Sequence, residues 1–242
     1  LDIYGTYESM VMGYQQFMRQ IQPGGLLLYR HDLKEAIGQE LLDELHAMKI
    51  ATKSFGIEEG DYHTTALRVE KNVWHWDLVT PTSVIKDLAL LMPGRHNVLN
   101  ATVASAMLIE TGGDAAKLSK VLPGYKGVSR RFEIRYKDDE HVLIDDYAHH
   151  PEELVAAITA AIETFGGAVM GVFQAHLYTR TRDLAQGFAD ALDLLDVPVL
   201  IDIYPAREEP IEGVSSQTIF ELMKNPNKQY LQGDSWISWV IE

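Results

Sequence analysis

The chain has 242 residues, of which 46% are hydrophobic and 23% charged, a composition typical of a globular protein of one or two domains. Its 35 acidic and 21 basic residues give a net charge of −14, which argues against sequence-independent nucleic-acid binding and, more weakly, against an anionic membrane surface. The lack of cysteine excludes disulfides, thiolate nucleophiles, iron–sulfur clusters and cysteine-ligated zinc.

The first half of the chain alternates helical and extended patterns. Apolar residues at helical spacing predict helices over residues 7–20, 33–48 and 97–111. Short runs rich in apolar, β-branched and aromatic residues predict strands over residues 25–29, 49–55, 62–70 and 73–79. The turn-forming cluster Leu122–Gly127 predicts a linker, and hence two domains, residues 1–127 and 128–242.

The second half is more regular. Its patterns predict a hairpin of strands over residues 132–136 and 141–146, then strands over residues 168–173 and 199–203. Helices are predicted over residues 151–165, 182–195 and 216–223. Strands that alternate with helices predict right-handed βαβ units around a parallel sheet, so the fold class is α/β.

Three polar segments follow predicted strands of the second half. They are Asp145–His150, Gln174–Thr181 and Tyr204–Glu209. Ligands of open α/β sheets bind beyond the carboxyl ends of the strands. We therefore predict a ligand site where these three segments meet.

Individual residues of these segments suggest an anionic ligand. Asp146 ends a strand, where its carboxylate could accept hydrogen bonds from ribose hydroxyls or serve a structural role. Adjacent His149 and His150 diverge too much to chelate one zinc ion well, so they fit a polar lining better. His176 and Arg180, four residues apart, fit phosphate or carboxylate binding.

The first half adds weaker candidates. Asn97 and Asn100 would lie on one helix face and could read a base edge or a phosphate, although Asn97 could instead cap the helix. Arg131, beside the predicted boundary, could bridge two domains onto an anion. The sequence contains no GxGxxG, GxxxxGK[ST] or GxSxG motif.

Five blocks of sequence resemble successive motifs of the Mur ligases, the ATP-dependent amide-forming enzymes of peptidoglycan synthesis. Three are general to the family: Met92–Ala101, Gly127–Glu133 and Asp145–Pro151. Two others, Phe173–Thr181 and Asp202–Pro210, most resemble the member that adds L-alanine. The resemblance runs in order along essentially the whole chain.

This resemblance implies the architecture and the reaction. Residues 1–127 would form the C-terminal part of a central ATP-binding domain, and residues 128–242 a Rossmann-like, amino-acid-binding domain with a mainly parallel sheet. ATP and Mg²⁺ would activate the lactyl carboxylate of UDP-N-acetylmuramate as an acyl phosphate, which the amine of L-alanine attacks. The pathway is cytoplasmic and serves the cell wall, cell shape and cell division. Neither nucleic acid nor membrane insertion is expected, and the oligomeric state stays open.

The resemblance also implies roles for individual residues. On the ATP side they are Asn97 and Asn100 near adenine, Asp146 at the ribose, Arg131 near the phosphates, and Tyr147, His149 and His150 in the same loop. On the substrate side His176 and Arg180 would face the UDP-sugar carboxylate and the incoming amino acid. The residues expected to act in catalysis are Arg131, His176 and Arg180.

The chain departs from the family pattern at several places. Ala175 stands where proline is usual and Leu177 where arginine is frequent. Leu1–Gly5 resembles the stretch after the magnesium-binding histidine, so we expect a fragment whose P-loop and metal ligands lie upstream. Gly233–Asp234 resembles the approach to the last strand. No metal ligands are expected in this chain, and we predict that it does not hydrolyse ATP alone.

Three alternatives remain at this point. One is a sister Mur ligase, either the tripeptide-recycling or the D-glutamate-adding enzyme. Another is a non-catalytic nucleotide-binding module. The third, a nicotinamide-dependent oxidoreductase, rests only on the βαβ pattern and is disfavoured by the missing glycine fingerprint.

Overall fold

The computed structural model describes residues 4–233 and 235–241, so Leu1–Ile3 and Asp234, which take part in the resemblance, lie outside the described residues. Contacts divide the chain into two compact units: unit 1 is Leu1–Leu91 with Arg95–Tyr125, and unit 2 is Met92–Gly94 with Lys126–Glu242. The assignment of residues 1–127 and 128–242 to two functional domains stays a prediction.

Unit 1 contains a five-stranded mixed sheet. Its strands are β1 (Leu26–Arg30), β2 (Ala51–Gly56), β3 (Tyr62–Glu70), β4 (Val73–Val79) and β5 (Val84–Leu90), in the order β1-β2-β3-β4-β5. Neighbours are parallel from β1 to β3 and antiparallel from β3 to β5. The helices are α1 (Tyr7–Met18), α2 (Lys34–Ile37), α3 (Gln39–Ala47), α4 (Arg95–Glu110) and α5 (Leu118–Val121).

Side-chain alternation explains the centre of this sheet. Trp74, Trp76 and Leu78 of β4 are buried, and the residues between them are only partly buried, as expected for a strand with one face in the core. Leu41 and Leu45 of α3 lie four residues apart on one helix face, and both pack with Ile50 in a buried apolar cluster.

Three predictions for unit 1 need correction. The helix predicted over residues 33–48 is interrupted at Gly38, whose backbone adopts φ 84° and ψ 140°. Strand β5 was not predicted, because a register shift opposite Trp76–Leu78 and the left-handed Asp87 (φ 53°) break its alternation. Helix α4 begins at Arg95 rather than Asn97, so Asn97 lies inside the helix and is not its N-cap.

Unit 2 combines a parallel sheet with a separate hairpin. Its elements in chain order are β6 (Glu133–Lys137), β7 (Val142–Asp145), α6 (Pro151–Phe165), β8 (Met170–His176), α7 (Tyr178–Leu192), β9 (Val197–Tyr204), α8 (Ser216–Leu222), β10 (Gln229–Leu231) and α9 (Ser235–Ile241). β8, β9 and β10 pair in parallel in the order β10-β9-β8, which confirms the predicted βαβ arrangement. β6 pairs with β7 antiparallel, which confirms the predicted hairpin.

One buried cluster fixes the helices of unit 2 to this sheet. Ile158 of α6, Phe188 of α7 and Ile219 of α8 join Phe173 of β8 and Leu200 of β9. The Phe173 and Phe188 rings lie 5.3 Å apart. Burial of these large apolar side chains stabilises unit 2 and holds α7 against the strand that precedes it.

Helix α7 differs most from its prediction. It begins at Tyr178 rather than residue 182, ends at Leu192 rather than residue 195, and is kinked at Leu184 (φ −119°, ψ 15°). Arg180 therefore lies in the first helical turn. Within residues 4–233 and 235–241, none of the helices is both long and apolar enough to cross a membrane.

We expect Gly38→Ala to lower the free energy of unfolding by about 1–3 kcal/mol, because only glycine adopts its backbone angles without strain. A Cβ there meets no atom within 4 Å, so the cost is conformational rather than steric. Gly124→Ala is the matched control, since Gly124 is equally open and lies outside the left-handed region. Urea denaturation measures both variants, and equal losses would contradict the interpretation.

Candidate functional site

Asp146 joins the two ends of the β6–β7 hairpin. Its Oδ2 accepts a hydrogen bond from the Phe132 backbone N–H at 2.7 Å, and its Oδ1 accepts one from the Ala148 N–H at 2.7 Å. Asp146 therefore has a structural role. Because each carboxylate oxygen has a second lone pair, a ribose hydroxyl can still donate to it.

Arg131 lies between two residues with left-handed backbones. Arg130 has φ 59° and Phe132 has φ 49°, and the Arg130 carbonyl accepts a hydrogen bond from the Tyr147 N–H at 2.8 Å. The Arg130 guanidinium covers the Tyr147 ring at 4.6 Å. Arg131 is half exposed, with its Nη1 3.7 Å from Glu153 Oε1. Such strain in non-glycine residues is typical of sites whose geometry the surroundings enforce.

The two adjacent histidines have different local roles. His150 is the N-cap of α6, and its Nδ1 accepts a hydrogen bond from the Glu152 N–H at 3.3 Å. The Nδ1 atom of His149 lies 2.8 Å from the Tyr147 carbonyl oxygen. The backbone N–H of His149 donates to Glu153 Oε2 at 2.9 Å. In the part of the chain that the structure describes, no three His, Asp or Glu side chains form a group able to hold a metal ion.

The first turn of α7 connects the three polar segments. Arg180 Nη1 donates to the His149 carbonyl oxygen at 3.3 Å. Thr179 donates twice to Glu208, from its backbone N–H to Oε2 at 3.0 Å and from its hydroxyl to Oε1 at 2.5 Å. The structure therefore brings together residues that follow β7, β8 and β9.

His176 sits in the middle of this arrangement. Its ring stacks on that of Tyr204 with centroids 5.7 Å apart. Burial lowers the pKa of His176 below its ordinary value, and the positive charges of Arg180 and Arg207 add to this, as does His149, while Glu208 opposes it. These effects favour the neutral imidazole, which has a lone pair available.

Asn97 and Asn100 belong to unit 1. They lie in the first two turns of α4, three residues apart and on one face of the helix. Asn97 is partly buried and Asn100 is exposed.

The sequence placed Glu208 in a polar segment but predicted neither its contact with Thr179 nor the conformation of Leu177. Leu177 is the N-cap residue of α7 with φ 73°, and its N–H donates to the Tyr204 carbonyl oxygen at 3.1 Å. Leucine has no side-chain acceptor with which to cap a helix, and Glu208 supplies one from a distant segment. A capping side chain is expected at the position before a helix. A hydrophobic residue at that position is a sequence signal that the helix takes its cap from a distant residue.

Comparison with known proteins matches both halves of the chain. The model of the Mur ligase middle domain matches residues 1–108, and that of the Mur ligase, glutamate ligase domain matches residues 130–237. The UDP-N-acetylmuramate–L-alanine ligase of Christiangramia forsetii is 39% identical over 96% of this chain and 48% of its own length. The chain thus spans about half the length of the curated relatives it matches.

Solved structures show the same fold. The UDP-N-acetylmuramate–alanine ligase of Thermotoga maritima is similar with a TM-score of 0.66 and 24% identity, over 90% of this chain and 53% of that one. MurF of Acinetobacter baumannii is similar with a TM-score of 0.75 and 20% identity, over 98% of this chain and 49% of that one.

We expect Asp146→Asn to lower the free energy of unfolding by about 1–3 kcal/mol. The side-chain NH2 group of asparagine would face the backbone N–H of either Phe132 or Ala148, and two donors cannot form a hydrogen bond. Asp145→Asn is the matched control, since its carboxylate is partly exposed and lies 4.0 Å from Arg130. The free energy of unfolding of Asp145→Asn should fall by less than about 1 kcal/mol. Equal losses in urea denaturation would show that the Asp146 contacts do not stabilise the hairpin.

Proposed function

We propose, on the premise that this chain belongs to the Mur ligase family, that it takes part in ATP-dependent joining of L-alanine to UDP-N-acetylmuramate in the cytoplasm. The site of unit 2 carries this proposal, because Arg180 contacts the segment after β7 and His176 stacks on Tyr204 of β9, so a guanidinium and an imidazole belong to the same cluster of polar segments, which suits an amino acid with its carboxylate and nitrogen. The similarity to L-alanine-adding relatives supports the choice of substrates.

The proposed reaction has two steps. The lactyl carboxylate of the UDP-sugar would attack the γ-phosphorus of ATP and become an acyl phosphate, while the bond to the β-phosphate oxygen breaks and ADP leaves. The amine of L-alanine then attacks the acyl carbon, and inorganic phosphate leaves with its bonding electrons. A protein accelerates such steps chiefly by positioning the reactants and neutralising the charge that develops.

The nucleotide side of the proposal in unit 2 uses Asp146 for the ribose and Arg131 for the phosphates. Asn97 and Asn100 of unit 1 stay candidates for contacting adenine, as the family resemblance implies. These side chains fit the roles, since Asp146 retains lone pairs, Arg131 is half exposed and Asn100 is exposed. ATP, when bound, supplies the phosphoryl group. The described residues provide no cluster for Mg²⁺, so the proposal assigns its ligands to none of them.

The loop after β7 adds a surface near this nucleotide position. The Tyr147 ring is partly exposed, with Arg130 on its face and the His149 ring at its edge, 5.4 Å away. An aromatic ring of this kind can cover a ribose or a base edge. His150 contributes mainly by starting α6, which holds Glu153 beside Arg131.

The substrate side depends on Arg180. Its guanidinium contacts a backbone carbonyl of the neighbouring segment, which orients the group and leaves further N–H donors for a carboxylate. Arg180 is therefore proposed to hold the carboxylate of L-alanine. Leu177 offers no charge beside it, so Arg180 carries this recognition without an adjacent arginine.

Phosphate release tests the proposed function. The natural gene product that carries this chain would be assayed with ATP, Mg²⁺ and UDP-N-acetylmuramate, with L-alanine added last and the 242-residue chain assayed beside it. We expect alanine-dependent release from the gene product and none from the chain alone. Release that requires D-glutamate or the tripeptide with its own acceptor would identify a sister ligase. No release with any of these substrates would favour a nucleotide-binding module.

We expect Arg180→Ala in the same gene product to raise the KM for L-alanine about tenfold to a hundredfold, because the amino-acid carboxylate loses a charge-assisted hydrogen bond. The KM for ATP should stay unchanged. Arg182→Ala is the matched control, since Arg182 is two residues away, exposed and paired with Asp183 at 2.7 Å. A similar rise of the L-alanine KM in both variants would contradict the assignment.

A further inference from the structure

We propose that the His176 imidazole is the general base of this reaction and removes the proton that leaves the amino-acid nitrogen as the C–N bond forms. This inference rests on the proposed function and assigns a chemical role within the same site. It concerns a proton that must be removed whichever amino acid the ligase uses.

The position of His176 is fixed by three elements. The residue ends β8, its ring lies against Tyr204 of β9, and Arg180 lies four residues later in the first turn of α7. The α-carbon of an amino acid separates its carboxylate from its nitrogen by a single atom. A carboxylate held by Arg180 therefore leaves the nitrogen close to that guanidinium, whose positive charge also acts on the His176 imidazole.

Charged groups from each neighbouring segment act on this imidazole. Arg180 of α7, His149 after β7 and Arg207 after β9 disfavour its protonation, whereas Glu208 after β9 favours it. Burial of the ring is the largest effect and also disfavours protonation, so the pKa of His176 lies below the ordinary histidine value. The lowered pKa favours the unprotonated imidazole, which is the form in which a base can accept a proton.

The proton balance shows why a base of lowered basicity is suitable. An ammonium nitrogen loses two protons in becoming an amide nitrogen. The first passes to solvent before attack. The nitrogen lone pair then forms the C–N bond, phosphate departs with its electron pair, and the second proton passes to His176 and later to water. The nitrogen of the tetrahedral intermediate is more acidic than a free ammonium, so a weakly basic imidazole can accept its proton.

The test compares two nucleophiles in the natural gene product. His176→Gln removes the base and retains a polar side chain of similar reach. We expect kcat with L-alanine to fall about 10²- to 10³-fold, in the range of general-base effects, with little change in the KM for ATP. Hydroxylamine at high concentration would replace L-alanine, because its nitrogen is less basic and gives up its proton without assistance. Hydroxylamine-dependent phosphate release should stay within about threefold of the unsubstituted protein, well short of a general-base effect.

Two further readouts separate this role from a structural one. The acidic limb of the kcat–pH profile should lie below the ordinary histidine pKa of about 6.5 and disappear in the variant. His176→Ala should recover part of its L-alanine activity when imidazole is added to the buffer. His141→Gln, on the exposed turn of the β6–β7 hairpin, is the control and should match the unsubstituted protein.

Several outcomes would overturn the inference. Equal losses with L-alanine and hydroxylamine would show that His176 only maintains the site, and unchanged kcat in His176→Gln would remove any role in proton transfer. Failure of imidazole to restore any activity to His176→Ala would also count against it. If the unsubstituted protein shows no alanine-dependent release, the proposed function itself is wrong.

Discussion

The first turn of helix α7 is capped by Glu208, a residue from a distant part of the chain, and the candidate site of unit 2 depends on that contact. The first backbone N–H groups of a helix have no partner within the helix, and the N-cap side chain usually accepts from one of them. Leu177 occupies the cap position of α7 and has no acceptor. Glu208, from the segment after β9, accepts from both the N–H and the hydroxyl of Thr179. These bonds lower the pKa of Glu208, which keeps the carboxylate charged at the positive end of the helix.

This arrangement sets the positions of the residues that would meet a substrate. Arg180 follows Thr179 directly, and its contact with the His149 carbonyl adds the third segment. His176 precedes the same turn, where its ring stacks on that of Tyr204 and the next residue, Leu177, donates its backbone N–H to the Tyr204 carbonyl oxygen. A single helix turn therefore determines where the guanidinium and the imidazole lie relative to each other.

Backbone strain marks the same loops. Arg130, Phe132, Leu177 and Ala206 have positive φ although none is glycine. Each such residue costs of the order of 1–3 kcal/mol, so it persists only where other bonds enforce it. Hydrogen bonds do so for three of them, through the Arg130 carbonyl, the Phe132 N–H and the Leu177 N–H. The loops are thus held in place before a ligand arrives, which lowers the entropic cost of binding.

Local sequence patterns predicted the helices and strands correctly where residues that are close in sequence also contact each other in the fold. Helix α6 was predicted with its observed bounds, because Pro151 suits the first helical position and apolar residues recur at helical spacing up to Phe165. Strands β3 and β4 were also predicted with their observed bounds. β5 was missed because its bulge disrupts the alternation, and α7 was started four residues late because its first turn is polar. The β6–β7 hairpin was also predicted, because its two strands are close neighbours in the sequence.

The sequence by itself determined the α/β class, most helices and strands, the three polar segments and the similarity to the Mur ligases. Composition, periodicity and short motifs carry this information, and each is contained within a few consecutive residues. Only the tertiary structure decided which partners the polar groups have. Thr179 and Glu208 are 29 residues apart in the chain, and Arg180 and the His149 carbonyl are 31 apart. Such contacts exist only after β8 and β9 have paired and α7 has packed against them, so the lowered pKa of His176 and the cap of α7 are properties of the fold.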